Sequence, residues 1–104
     1  MFIARWRIDA RFGHKQVVID ALKEWHRTIG SQVGWAPDKV RLASGSIGAR
    51  ESRIEVDIVI RDLAELEAAW AKLATIDAHK AWSAQLDADV VSGSTRWEIL
   101  RVLE

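Results

Sequence analysis

At 104 residues the chain has room for one domain built on one core. Fifteen basic side chains balance fifteen acidic ones, so no net field draws in nucleic acid, an anionic membrane or an acidic partner. There is no cysteine, which excludes disulfides, thiolate catalysis and thiolate-held metal, and 49% hydrophobic residues with a single proline describe a globular chain.

No apolar run reaches membrane-spanning length, and the segment Met1-Phe2-Ile3-Ala4-Arg5-Trp6-Arg7 lacks the features of a signal peptide. A cytoplasmic location is the expectation. No linker, repeat or low-complexity stretch divides the sequence, so residues 1–104 are read as one domain.

Residues 2–11 alternate as a strand does. Phe2, Ala4, Trp6, Ile8 and Ala10 take one face, and Ile3, Arg5, Arg7, Asp9 and Arg11 the other. After Gly13 the spacing turns helical over 15–30, with Val17, Val18, Ala21, Leu22, Trp25 and Ile29 in a stripe. Trp35-Ala36-Pro37-Asp38 is a loop, because proline moves its predecessor out of helical geometry. A second strand is predicted over 39–47 and a turn at 48–52. Residues 53–60 then form the strongest strand, setting Ile54, Val56, Ile58 and Ile60 against Arg53, Glu55, Asp57 and Val59.

Asp62 with Glu65 three residues on is a capping box, opening a helix that carries Leu63, Leu66, Trp70 and Leu73. A break at Thr75-Ile76 leads to a further helix with the stripe His79, Trp82, Leu86. Residues 95–103 form the last strand. The order β-α-β-β-α-(α)-β predicts an α+β, ferredoxin-like βαββαβ sandwich: a four-stranded antiparallel sheet with helices on one face. The last strand should lie beside the first, followed by the third and then the second.

Such a sheet has one face without helices. Placing Trp6, Ile8, Ile54, Val56, Ile58, Trp97 and Ile99 under the helices puts Trp6 and Trp97 in the core. It leaves Ile3, Val59, Leu100 and Val102 together at one end of the bare face. Arg5 and Arg7 then face Glu55 and Asp57 across strands, a set that could form an acid–base site but more often pairs structurally. Four large apolar residues converging from three strands mark a contact surface, and a two-fold homodimer is the expected use.

The chain resembles the dimeric α+β barrel superfamily, which includes antibiotic-biosynthesis-type monooxygenases and EthD-like, NIPSNAP-like and Dabb proteins. The resemblance covers essentially the whole chain. It rests on element order, length, the half-apolar bare face, the stretch Asp77-Ala78-His79-Lys80-Ala81-Trp82, and Arg96-Trp97-Glu98-Ile99. It implies a dimeric barrel, and in some of these families a histidine of the late helix serves catalysis. Two departures are plain. With no tyrosine, the His/Tyr pair of some cyclase relatives is missing, and with no asparagine, so is the Asn/Trp/His set of haem-degrading relatives.

His79 is the candidate catalytic residue, a neutral imidazole on an inward stripe that could act as general base; the alternative is a core histidine bonded to a carbonyl. Trp6, Trp25, Trp70, Trp82 and Trp97, with His26 at the edge of the first helical stripe, are candidate walls of a ligand pocket, although each tryptophan singly suits core packing. His14 is expected in solvent. The three histidines lack metal-ligand spacing, so no metal site and no cofactor are expected. Gly45-Ser46-Ile47-Gly48 leads into a strand and lacks the lysine of a phosphate loop.

Three function classes stay open. The first is a small cofactor-independent enzyme or binding protein for a hydrophobic, aromatic metabolite. The second is a non-catalytic dimerising or ligand-sensing module. Haem handling ranks last. The expected partners are a second copy of the chain and a small ligand, with neither nucleic acid nor membrane.

Overall fold

Strict alternation over two long segments decides the architecture, because each such strand can bury only one face. The computed structural model describes residues 1–103. Strands β1 (Phe2–Asp9), β2 (Val40–Ser44), β3 (Arg53–Ile60) and β4 (Arg96–Arg101) form one antiparallel sheet in the order β2-β3-β1-β4. Helices α1 (Lys15–Thr28), α2 (Leu63–Leu73) and α3 (Asp77–Leu86) join their apolar sides to the face carrying Ala4, Ile8, Ile54, Val56, Ile58 and Ile60. This is the expected α+β ferredoxin-like sandwich. No helix among the described residues is long and apolar enough to cross a membrane.

The element ends differ where local chemistry intervenes. β1 stops at Asp9, and Ala10 makes only an isolated bridge to Val90. α1 ends at Thr28, after which Gly30–Val33 tightens into a 3-10 turn. β2 spans Val40–Ser44 rather than 39–47. Gly45 ends it because the chain folds back on itself there: a Cβ on Gly45 would lie 1.5 Å from the Arg50 carbonyl oxygen, so only glycine fits the hairpin. β4 covers Arg96–Arg101 instead of 95–103.

The capping box forms as read. The Asp62 carboxylate accepts from the Glu65 backbone N–H at 2.8 Å, and the Glu65 carboxylate reaches back to the N–H of Arg61.

Register on the bare face follows the sequence expectation. Ile3 lies opposite Val59 and Leu100, Arg5 opposite Asp57 and Glu98, and Arg7 opposite Glu55 and Arg96. The Arg5 guanidinium donates to both Asp57 oxygens at 2.8 and 3.1 Å, and Arg41 approaches the same carboxylate at 3.5 Å. Arg5 beside Asp57 holds its carboxyl below the usual carboxylate range. Arg7 pairs with Glu98 and lies 3.6 Å from Glu55. These charges satisfy one another, and the acid–base reading of the cluster lapses in favour of a structural one.

Four side chains on the inward faces are less buried than expected. Trp97 and Ile99 do point to the helix side, but they are 37% and 40% exposed. β4 is an edge strand, and the rings at its far side have no further strand beside them and little helix above them. The core position expected for Trp97 is therefore corrected to a rim position, while Trp6 is half-buried against the core. Val17 and Leu63, at the starts of their helices, are more than half exposed.

Candidate functional site

The helix side of the sheet is not filled. A cavity of about 460 Å³ lies between the sheet and all three helices. At roughly 30 Å³ per water this is a space far larger than a single water needs. All six tryptophans of the chain line it, in the company of two histidines, His26 and His79.

The floor is a register row across the sheet, Leu42 opposite Val56, Val56 opposite Trp6, and Trp6 opposite Trp97. Trp70 of α2 meets Trp97 edge to face at 5.2 Å, and these two are the most exposed of the six, forming the rim. On the helix wall Trp25 is the hub. Its ring lies 5.8 Å from Trp35, and 5.9 Å from both Trp82 and His79. It can occupy this place because Gly30 packs against it: a Cβ there would lie 3.2 Å from the Trp25 ring and 3.1 Å from His26 Nδ1. Trp82 donates its indole N–H to the Ala21 carbonyl at 3.0 Å, which ties α3 to α1.

Trp35 is the wall residue that sequence reading left out. It lies in the loop between the 3-10 turns Gly30–Val33 and Pro37–Lys39, yet it is only 2% exposed. The backbone N–H of Trp35 donates to the Gly30 carbonyl at 3.1 Å, folding the loop inward so that the ring enters the core. A large aromatic two residues before proline in a loop was the available signal, but loops carry no periodicity to say which way a ring points.

Two polar atoms in this region are buried without a partner among the described residues, Nδ1 of His26 and the indole nitrogen of Trp35. Buried polar groups are ordinarily hydrogen-bonded, so each of these two unpartnered atoms costs stability. His26 is half-buried on the cavity wall, consistent with its placement at the stripe's edge. His14 is not free in solvent. It is half-buried, with Nδ1 2.8 Å from the Asp89 carboxylate, and takes no part in the cavity.

His79 lies on the inward side of α3, stacked on Trp82 at 6.3 Å. Its Nδ1 accepts the Trp25 indole N–H at 2.9 Å, a contact made across 54 residues of sequence. The lone pair of that nitrogen is committed to the indole. Burial holds the imidazole below the usual histidine range, so the ring is neutral near pH about 7. The sign follows directly. The unfolded chain takes up this proton first, so the stabilisation is intact above the ordinary value of 6.5 and fades as pH falls below it. Thermal melts toward pH about 5 should show the wild type losing stability more steeply than His79→Gln. Parallel losses would show that His79 is not the group responsible.

Of the residues around the cavity Asp87 is the one charged member, and neither lysine nor arginine lines it among the described residues. No group of three or more His, Asp or Glu side chains able to hold a metal ion occurs among the described residues. The arrangement can receive a neutral, mostly apolar, planar molecule and offer it a few hydrogen bonds.

No family model matches the sequence, and no curated protein matches it. Solved structures do match in shape. A NIPSNAP family protein from Agrobacterium tumefaciens superposes with a TM-score of 0.79 at 19% identity, covering 100% of this chain and 95% of that one. An antibiotic biosynthesis monooxygenase gives 0.72 at 10% identity, with full coverage of both chains. A protein of unknown function from Bacteroides fragilis, described as dimeric and ferredoxin-like, gives 0.65 at 14% identity, over 97% of this chain and 96% of that one. The class is thereby defined: a ferredoxin-like α+β protein with the fold of NIPSNAP and antibiotic-biosynthesis-monooxygenase structures.

Proposed function

We propose that this chain binds a small aromatic metabolite in the tryptophan-lined cavity, as a cofactor-independent enzyme or a binding protein, and that it works as a homodimer joined through the bare sheet face. The observation that carries the reading is the convergence of all six tryptophans on one cavity of about 460 Å³. Rings drawn from β1, α1, a loop, α2, α3 and β4 meet there, which packing alone does not require. The shared fold with an antibiotic biosynthesis monooxygenase supports keeping an enzyme among the readings. The second reading, a ligand-sensing module without catalysis, draws support from His79, whose Nδ1 is spent on Trp25.

The test uses thermal melts with and without a panel of neutral polycyclic aromatics. The wild type is expected to gain Tm with ligand. His79→Ala strands the Trp25 N–H, which is 9% exposed as a residue, so the variant should lose roughly 1–3 kcal/mol of stability. It should also show a smaller ligand-induced gain in Tm. An equal gain in both proteins would remove His79 from the site, and no gain in either would refute the cavity reading.

A further inference from the structure

The contact between Trp25 and His79 does more than hold two helices together. An indole nitrogen can only donate, so Nδ1 of His79 must present a lone pair to it across the 2.9 Å gap. In the neutral ring the proton then sits on Nε2. The opposite tautomer would set two N–H groups against each other at that distance. His79 Nε2 has no protein partner among the described residues, it is not sealed in the interior, and His79 is one of the residues lining the cavity.

We infer that Trp25 is a positioning residue that fixes His79 as a hydrogen-bond donor through Nε2, and that the site therefore takes ligands presenting an acceptor oxygen there rather than a proton to be removed. The inference rests on the cavity being a ligand site, and it states what that site selects. It removes both nitrogens from general-base duty in the neutral state: Nδ1 is occupied and Nε2 carries a hydrogen. The indole nitrogen of Trp35 and Nδ1 of His26 are sealed within the packed wall, so neither reaches a molecule in the cavity. With Asp87 the one charged group among the described lining residues and no cation at hand, a carboxylate is disfavoured, and a neutral aromatic carbonyl compound fits the Nε2 donor.

Two measurements test this independently. Long-range proton–nitrogen correlation spectra of isotope-labelled, ligand-free protein should show His79 as the Nε2–H tautomer, and Trp25→Phe should turn it into a mixture. An Nδ1–H or mixed ring in the wild type would overturn the inference without need of any variant. The second compares acetylnaphthalene with isopropenylnaphthalene, which replaces the carbonyl oxygen with a methylene group of similar shape. The wild type is expected to favour the ketone about tenfold, the worth of one hydrogen bond made in a partly desolvated site. Trp25→Phe should bring the two within about threefold while still binding the hydrocarbon. An unchanged ketone preference in Trp25→Phe would overturn the positioning role. Failure of the wild type to bind either probe would refute the cavity reading and the donor role together, with the tautomer still reported by the spectra.

Discussion

Replacing Trp35 with alanine is expected to lower stability by about 3–5 kcal/mol, the range for removing a large aromatic from a packed interior. The ring is 2% exposed and rests against Trp25 at 5.8 Å, so truncation both forfeits its burial and frees the hub of the helix wall. For a domain of this size that is a large part of the whole, since small proteins are stable by roughly 5–15 kcal/mol. Urea denaturation should show the loss as a lower midpoint. Trp35→Phe separates the two roles of the ring. It keeps most of the packing and deletes an indole N–H that is buried without a partner, so its stability should change by less than about 1.5 kcal/mol. A midpoint unmoved by Trp35→Ala would mean that the loop carrying residues 34–36 lies outside the core in solution.

The second large effect belongs to the bare face of the sheet. Val59 and Leu100, 38% and 39% exposed, flank Ile3 in one register row, with Val102 at the same end through its backbone bond to Met1. The adjoining charges are paired, Asp57 with Arg5 and Glu98 with Arg7, so a partner laid on this face meets little uncompensated charge. Size exclusion with light scattering should give about twice 11.7 kDa for the wild type. Val59→Asp should weaken the dimer by at least about a hundredfold, because a carboxylate would be buried at the contact without a partner. The variant monomer should keep its thermal midpoint to within a few degrees, as Val59 is a surface residue of the single chain. A wild type that elutes at one chain mass at tens of micromolar would refute the dimer.

What could be read in the sequence, and what could not, follows from the range of each interaction. The strands β1 and β3 were legible because alternation is a local property, and the pairing of Arg5 with Asp57 and of Arg7 with Glu55 followed once their register was laid out. Asp62 announced α2 through a cap only three residues long. Trp97 was placed on the correct side of the sheet but in the wrong depth. Alternation says which way a residue points, whereas its burial depends on what lies above an edge strand. Trp35 escaped because a loop has no period. The inward side of His79 was legible from its stripe, but its hydrogen-bond partner was not. The bond that engages its Nδ1 comes from Trp25, far away in the chain, and no local pattern reports it.

The clustering of the tryptophans also fixes how the molecule interacts with light. With no tyrosine and two phenylalanines, all of the chain's near-ultraviolet emission arises from indoles that share one enclosure. Trp25, Trp35 and Trp82 form one group of rings and Trp70 and Trp97 another, each within 5.2 to 5.9 Å, so these five behave less as separate fluorophores than as a shared antenna along the cavity. Whatever enters that space is seen by the whole antenna at once, and the protein carries its own optical gauge of occupancy without a label.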